Sequence, residues 1–280
     1  MKIREVLKQG ILILKLNNIE EANTKARILL SAILNKSKEY IIIHDDEEIN
    51  EESFFQGIQK LTKNIPIQYI VNNQEFMKLN FYVDENVLIP QPDTEILVEE
   101  VINLSKSMDK KISILDLCTG SGCIAISLAK NIDTSNIVAI DISEKSIQIA
   151  KLNAEKNKIN DKIEFVKSDM FNKIENKYKF DYIVSNPPYI KTDVINTLSD
   201  EVKNEPYIAL DGGKDGLQFY RKIVTQSKDY LKSNGYLCIE IGYDQKEDVI
   251  ELLKNAGEYK EIYSKKDLSG NDRIVIARKV

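Results

Sequence analysis

Apolar residues recur at three- and four-residue spacing through the first 75 positions of the chain. Ile3, Leu7, Ile11 and Leu14 fall on one helical face, and residues 26–34 repeat the pattern. A helix with such a stripe buries it against neighbouring elements. The spacing therefore predicts a helical region from residue 1 to about residue 75.

The pattern changes after residue 75. Apolar residues spread over residues 76–89 predict a short hairpin or an extended linker, and Pro90 and Pro92 end it. Asp93 or Thr94 then opens a helix. We expect a helical domain over residues 1–78, a hairpin or linker over residues 79–92, and a second domain over residues 93–280.

Strand-like and helix-like segments alternate from residue 112 onward. Strands are predicted at residues 112–117, 136–140, 162–166, 180–185, 236–241, 259–263 and 274–277, and helices at residues 123–130, 144–157, 217–231 and 245–255. This alternation predicts an α/β, Rossmann-like fold with a parallel sheet between two layers of helices. No helix fits between the last two strands, so one of them should be antiparallel.

Composition narrows the class of protein. The 280 residues carry a net charge of −5, and this acidic balance argues against a nucleic-acid partner. Three cysteines, Cys118, Cys123 and Cys238, and the single histidine His44 have neither disulfide nor metal-site spacing, so we expect reduced thiols and no metal. No signal peptide or membrane span is evident, which predicts a cytoplasmic protein without membrane contacts.

A glycine-rich loop joins the first strand of the predicted sheet to its first helix. The loop consists of Cys118, Thr119, Gly120, Ser121 and Gly122, and Asp141 ends the next strand. Ligands of doubly wound folds bind beyond the carboxyl ends of the strands, where a carboxylate can accept ribose hydroxyls. These residues therefore predict a nucleotide-type cofactor site, although a loop of this kind also occurs as a plain structural turn.

The details of the loop favour S-adenosyl-L-methionine as the cofactor. No Gly-Lys-Ser/Thr follows, so the loop is not a P-loop, and the third glycine of the NAD fingerprint is missing. Asp169 and Met170 follow the third strand. Asp169 would accept from the adenine amine and Met170 would pack on the ring, but a surface turn explains the pair equally well.

The sequence Asn186-Pro187-Pro188-Tyr189 follows the fourth predicted strand. Two prolines cannot continue a ladder, so a stiff turn must form there. The Asn186 oxygen and the Pro187 carbonyl would accept the two N–H bonds of a planar –NH2 group, Pro188 would stiffen the turn, and Tyr189 would pack against the group. We therefore predict catalytic roles for Asn186, Pro187 and Tyr189, substrate contact for all four residues, and a cofactor contact for Asn186. A plain turn is the alternative, since Asn-Pro commonly begins turns.

With these motifs, the chain resembles the family of peptide chain release factor glutamine methyltransferases, often called PrmC or HemK. The blocks that carry the resemblance include Pro66-Ile67-Gln68-Tyr69-Ile70, Pro90-Gln91-Pro92-Asp93-Thr94-Glu95, residues 116–125, Asn186-Pro187-Pro188-Tyr189, Glu205-Pro206, Gly212-Gly213-Lys214-Asp215-Gly216, Glu240-Ile241-Gly242 and Gly270-Asn271-Asp272-Arg273. The Asn-Pro-Pro-Tyr run alone is shared with DNA adenine methyltransferases, whereas the other blocks are more specific.

The resemblance implies a helical substrate-recognition domain before a seven-stranded class I S-adenosylmethionine-dependent methyltransferase domain. It implies a transferase that acts in translation termination. The implied reaction is protein methylation at the side-chain amide nitrogen of the glutamine in the Gly-Gly-Gln motif of class I release factors. Direct nucleic-acid binding is not expected.

Two residues depart from the family pattern. Cys118 stands where glycine is usual, and a positive φ there would strain cysteine by about 1 kcal/mol. Gln91 stands where arginine is usual, which removes a charge between the two prolines.

Three alternatives remain at this point. In the first, the chain methylates a glutamine of a ribosomal protein. In the second, it methylates an adenine amine of nucleic acid. In the third, it binds S-adenosylmethionine without catalysis. A broad positive groove at the pocket mouth would favour nucleic acid.

Overall fold

The computed structural model of the chain describes residues 1–106, 108, 111–133, 135–175 and 178–280. These residues form two compact units, of which one comprises residues 1–73 and 199–204 and the other residues 74–198 and 205–280. The division after residue 73 precedes the expected boundary at residue 78, and the hairpin belongs to the second unit. Among the described residues, no helix is both long and apolar enough to cross a membrane.

The first unit is helical, as the apolar spacing predicts. Its helices are α1 (Ile3–Leu16), α2 (Ala22–Leu34), α3 (Lys38–Ile43), α4 (Glu52–Leu61) and α5 (Ile67–Val71). Ile3, Leu14, Leu30 and Phe54 are fully enclosed in its core. Residues 199–204 contribute an ion pair to this unit, because the Lys25 Nζ lies 2.7 Å from a carboxylate oxygen of Glu201.

The second unit begins with a two-stranded hairpin and continues with alternating elements. The hairpin is β1 (Gln74–Phe76) and β2 (Leu79–Phe81). The later strands are β3 (Ile112–Leu117), β4 (Ser135–Asp141), β5 (Ile163–Lys167), β6 (Phe180–Ser185), β7 (Leu231–Glu240), β8 (Tyr259–Lys266) and β9 (Asp272–Lys279).

Helices connect these strands. They are α6 (Glu95–Ser105), α7 (Cys123–Asn131), α8 (Glu144–Lys156), α9 (Thr192–Ile195), α10 (Asp200–Lys203), α11 (Tyr207–Leu210), α12 (Gln218–Tyr230) and α13 (Lys246–Ala256), with short 3-10 turns at Pro92–Thr94, Asn160–Lys162 and Met170–Lys173. Helix α10 lies in residues that belong to the helical unit.

Seven strands form one sheet in the order β5-β4-β3-β6-β7-β9-β8. The first five are parallel, whereas β9 runs antiparallel to both β7 and β8. The predicted seven-stranded, Rossmann-like α/β class is therefore confirmed, and one of the last two strands, β9, is antiparallel as expected.

Both faces of the sheet are covered, because side chains alternate between them along each strand. Ile114 and Val184 pack on one side with residues of α6 and α7. Leu115, Ile183 and Ile239 pack on the other side with residues of α12 and α13. The continuous apolar runs of the central strands reflect this two-sided burial.

The strand order reverses between β3 and β6. From β3 the chain moves first outward to β4 and β5 and then returns to β6 on the opposite side. Leu117 pairs with Ser185 in the ladder, and the Ser185 hydroxyl donates to the Leu117 carbonyl at 2.9 Å. The residues that follow, Cys118 and Asn186, therefore leave the sheet side by side, where doubly wound folds bind ligands.

Candidate active site

A cavity opens at the carboxyl ends of β3, β4, β5 and β6. Seven of the predicted site residues line it, namely Cys118, Gly120, Asp141, Asp169, Met170, Asn186 and Pro188. Asp169 and Met170 thus lie at the cavity, where Asp169 is exposed and Met170 is buried. Their cofactor contacts remain predictions.

Five predicted site residues do not line this cavity, namely Thr119, Ser121, Gly122, Pro187 and Tyr189. Thr119 is buried, and its hydroxyl donates to a carboxylate oxygen of Asp116 at 2.6 Å. Gly122, the residue immediately before α7, takes a φ of +83°. Thr119 and Gly122 therefore shape the loop from behind.

Asp141 fixes the glycine loop to the end of β4. Its two carboxylate oxygens accept from the backbone N–H groups of Gly120 and Ser143, each at 2.9 Å. Burial raises the pKa of Asp141, and these backbone bonds act in the opposite direction. Each oxygen retains lone pairs for a further donor, so the carboxylate still suits a ligand hydroxyl.

Cys118 has a left-handed backbone with a φ of +61°. The condition for strain is therefore met, because a side chain with a Cβ is disfavoured in this region by about 1 kcal/mol. All three cysteines are free, and burial raises the pKa of each thiol. The described residues contain no cluster of three or more histidine, cysteine or acidic side chains able to hold a metal ion.

The cavity lining suits an adenosine-like group. Its apolar walls come from Val87, Leu88, Ile140, Ile142, Met170 and Phe219, and its acids are Asp141 and Asp169. A Cβ added at Gly120 would meet no atom within 4 Å, so the loop leaves space for a ligand at this position. Apolar walls with a few placed acceptors are typical of sites for a planar base and a sugar.

The Asn-Pro-Pro-Tyr turn (residues 186–189) presents free acceptors. The Asn186 Nδ2 donates to the Thr94 Oγ1 at 3.2 Å, and Oδ1 is the other polar atom of this amide. Within the described part of the chain, neither this oxygen nor the Pro187 carbonyl accepts a hydrogen bond. The two oxygens that the sequence predicts as acceptors are therefore available.

Tyr189 anchors the far end of this turn. Its hydroxyl donates to the Glu240 Oε1 at 3.4 Å, and its carbonyl accepts from the Gln245 Nε2 at 2.9 Å. A Cβ on Gly212 would lie only 2.6 Å from the Tyr189 Cα, so glycine is required for this close approach. The hydroxyl of Tyr189 is directed at β7.

Several residues at this site were not predicted from the sequence. The Arg273 guanidinium bridges Asp93, at 3.1 Å, and Asp267, at 2.9 Å. Glu205 is buried and accepts from the Ile89 N–H at 2.9 Å, which connects two walls of the cavity. Only the block resemblance pointed to these positions, because their partners lie far away in the sequence.

Gln91 stands outside this network. Its side chain is exposed and donates to the Ile89 carbonyl at 3.0 Å.

The described lining of the cavity carries no cation, because none of these residues is lysine or arginine. Pro206, Ile208 and Ala209 belong to this lining, and Ile208 is 54% exposed. These three residues are apolar rather than positively charged.

Comparison with known proteins places the chain in a family. The family described as "Methyltransferase small domain" matches residues 92–202, and "PrmC N-terminal domain" matches residues 5–71. The "Release factor glutamine methyltransferase" of Clostridium botulinum is 42% identical over all of both chains. The protein of the same name from Clostridium acetobutylicum is 42% identical over 99% of this chain and 98% of its own.

A solved structure supports the fold. A methyltransferase from Pyrococcus furiosus superposes with a TM-score of 0.51 over 72% of this chain and 89% of its own, at 21% identity. Full-length identity to the clostridial proteins confirms the resemblance that the motifs indicate. The chain therefore belongs to the release factor glutamine methyltransferase family, and it is a methyltransferase enzyme.

Proposed function

We propose that the chain transfers a methyl group from S-adenosyl-L-methionine to the side-chain amide nitrogen of the glutamine in the Gly-Gly-Gln motif of class I peptide chain release factors. This reaction would belong to translation termination in the cytoplasm, where release factors act. The names of the two clostridial relatives support this substrate.

The orientation of Asn186 carries the proposal. Its amide nitrogen is committed to Thr94 at 3.2 Å, so its oxygen is left as an acceptor at the cavity. A carboxamide –NH2 group offers two donors. The Asn186 oxygen and the Pro187 carbonyl would hold one N–H bond each.

This arrangement suits a weak nucleophile. The lone pair of an amide nitrogen is delocalised into its carbonyl, so positioning and charge stabilisation matter more than a strong base. Two acceptors on the N–H bonds would favour the positive charge that develops on the nitrogen as it bonds to the methyl carbon and the bond from that carbon to sulfur breaks. One N–H proton would then pass to water, which leaves a neutral N-methyl amide. Pro187 and Pro188 keep the turn rigid, and Tyr189 holds its end.

The residues at the cavity would hold the cofactor. Asp141 suits the ribose hydroxyls, and Asp169 with Met170 suits the adenine, since both acids border apolar walls. When bound, S-adenosylmethionine supplies an electrophilic methyl group on its sulfonium. The loop of Cys118 and Gly120 would lie against it.

The composition of the cavity lining favours a protein substrate over an adenine in nucleic acid. This lining has no cation among the described residues, whereas a nucleic-acid site needs basic side chains for the phosphates. Tyr207 and Ile208 are 55% and 54% exposed beside it. Exposed apolar side chains at a site entrance suit a protein surface.

The direct test incubates the full chain with a purified, unmethylated class I release factor and labelled S-adenosylmethionine, followed by mass mapping. We expect one methyl group on the glutamine of the Gly-Gly-Gln motif. A release factor with that glutamine replaced by asparagine is the matched control and should remain unlabelled. Label on another residue, on a ribosomal protein alone or on an adenine oligonucleotide would contradict the proposal.

We further infer that the helical unit recognises the protein substrate. A groove on this unit has an apolar floor that includes the exposed side chains Leu12 and Ile42, and it is bordered by Arg4, Lys8, Lys15, Arg27 and Asp45. Within the described residues, none of the four cations makes an ion pair.

Unpaired cations around an apolar floor are complementary to an acidic surface with apolar side chains. We therefore assign this groove to an acidic, amphipathic segment of the release factor.

A further inference from the structure

Glu240 is a buried carboxyl group that the proposed reaction does not use. It ends β7 and is 1% exposed. Its Oε1 accepts from the Tyr189 hydroxyl at 3.4 Å, but its Oε2 has no hydrogen-bond partner in the described part of the chain. A buried carboxylate oxygen without a partner is costly for folding, so its retention suggests a function.

We propose that Glu240 is a positioning residue for methyl transfer, which holds both ends of the Asn-Pro-Pro-Tyr turn. It would hold Tyr189 directly and Asn186 through Thr94. This inference rests on the proposed function, because it assigns Glu240 to the same step.

The Asn186 end of the turn depends on Thr94. The Thr94 Oγ1 accepts from the Asn186 Nδ2 at 3.2 Å, and Thr94 is buried. The Thr94 hydroxyl also faces the Glu240 carboxyl and favours its ionised form. A hydroxyl has one hydrogen to donate.

When that hydrogen is directed at Glu240, the lone pairs of Thr94 are left for the Asn186 –NH2 group. Glu240 thereby determines which amide atom of Asn186 faces the cavity.

The surroundings of Glu240 include several charged and titratable groups. Arg273 lowers its pKa, whereas Asp93, which pairs with Arg273 at 3.1 Å, raises it. Tyr189 and Tyr220 lie on the other sides, and the Tyr220 hydroxyl donates to the Glu240 carbonyl at 3.2 Å.

The charge of Glu240 also raises the pKa of the Cys123 thiol. Burial is the largest influence, and it raises the pKa of Glu240 to about 7.

The proposal predicts a pH dependence of turnover. Glu240 is ionised above about pH 7 and loses its charge below it. The substrate amide does not titrate near neutral pH, so a change of kcat there points to the enzyme. We expect kcat to rise with pH through about 7 and this rise to disappear in Glu240→Gln.

Asp116 also has a pKa of about 7 and lies behind the cofactor loop. The profile is therefore measured at saturating cofactor, where weaker cofactor binding no longer affects the rate.

The decisive experiment compares Glu240→Gln with Glu100→Gln in the full chain. Glu100 is the control because it is also buried and accepts from a tyrosine, Tyr263, at 2.6 Å, but its partners, Tyr263 and Lys265, lie outside the Asn-Pro-Pro-Tyr turn. We expect Glu240→Gln to lower kcat on the order of tenfold, the factor that one hydrogen bond represents. The KM values for release factor and cofactor should stay within about twofold, since Glu240 contacts neither substrate.

A second pair of variants tests the connection from Glu240 through Thr94 to Asn186 if Glu240→Gln does not fold. Thr94→Val should lower kcat in the same way, and Thr94→Ser, which keeps the hydroxyl, should restore it. Adding Glu240→Gln to Thr94→Val should lower kcat little further, because both substitutions remove the same connection between Glu240 and Asn186.

The outcomes separate this inference from the proposed function. A wild-type chain that methylates no glutamine contradicts the function itself. A wild-type chain that methylates glutamine, with Glu240→Gln matching Glu100→Gln in kcat and pH profile, overturns only the role of Glu240. Equal losses of kcat in both glutamine variants would also overturn it, since they would reflect lost stability.

Discussion

At the scale of single residues, Asn186 has two polar atoms with separate tasks. Its nitrogen is held by Thr94, and its oxygen remains free at the cavity. The sequence predicted the free acceptor from the Asn-Pro-Pro-Tyr run. It did not predict Thr94 as the partner, because 92 residues separate the two.

Asn186→Ala should lower kcat on the order of a hundredfold, the usual effect of removing one preorganised hydrogen-bonding group at a transition state. The dissociation constant of S-adenosylmethionine, measured by calorimetry, should change by less than about threefold, because Asn186 is one of many residues that line the cavity. Asn160→Ala, on an exposed turn, is the control. Turnover within a factor of two of wild type would remove Asn186 from the mechanism.

Cys118 makes a second prediction at this scale. Its φ of +61° should make Cys118→Gly more stable to urea than Cys118→Ala by about 0.5–1 kcal/mol, since only glycine escapes the Cβ strain. Cys238 lies within β7, where glycine offers no such relief of strain. Cys238→Ala should therefore be more stable to urea than Cys238→Gly. The same order of stability at both positions would contradict the prediction.

At the scale of elements, sequence periodicity located every strand of the main sheet to within a few residues. The exception is β7, which begins at Leu231 rather than at residue 236. Its early part contains Asn234 with a φ of +62° and Gly235, which have no strand-like pattern. The apolar runs were informative because the sheet is buried on both faces.

The hairpin of β1 and β2 was harder to locate. Its turn residues, Met77 and Lys78, both take positive φ values, a conformation that usually needs asparagine or glycine. The Met77 N–H donates to a carboxylate oxygen of Glu95 at 2.6 Å. The first residue of α6, which is distant in the sequence, therefore stabilises the turn. Local sequence preferences cannot reveal such a contact.

The three helices α9–α11 were also missed. Each has four residues, which is too short to show an apolar period.

The end of β3 carries a prediction for stability against pH. Burial raises the pKa of Asp116 to about 7, and its Oδ1 has no partner among the described residues. The folded protein therefore keeps a proton between about pH 4 and 7 that the unfolded chain has released. The stability contributed by this group falls as pH rises through that window.

Asp116→Asn should remove this dependence, because the amide does not titrate. The free energy of unfolding of the variant, relative to wild type, should increase on the order of 1 kcal/mol per pH unit between about pH 4 and 7. Urea titrations at several pH values measure it. Parallel curves for the two proteins would contradict the assignment.

At the scale of the whole molecule, the net charge of −5 conceals an uneven distribution. Arg4, Lys8, Lys15 and Arg27 border the groove of the helical unit. The acidic composition argued against a nucleic-acid partner, which stays a prediction, and it could not locate this local patch. Helical spacing brings the side chains of α1 together, and folding adds those of α2.

Reversing two of these charges, as Lys8→Glu with Lys15→Glu, should raise the KM for release factor about tenfold at low salt, and the effect should shrink at high salt. The KM for S-adenosylmethionine should not change, because the cavity proposed to hold the cofactor is lined by residues of the other unit. Lys60→Glu with Lys63→Glu places the same charges on exposed positions of this unit away from the groove. Equal effects of the two pairs would indicate net charge rather than the groove.

The burial of two of the three thiols has a practical consequence for the study of this enzyme. Cys123 and Cys238 are buried, and burial raises the pKa of each thiol, so maleimide or iodoacetamide should scarcely modify them in the folded chain. Cys118 is only partly buried and lines the cavity, so it is the native thiol to replace, as in Cys118→Gly. A cysteine introduced at an exposed site of the helical unit in that variant would then be the single reactive position for a fluorophore or a spin label.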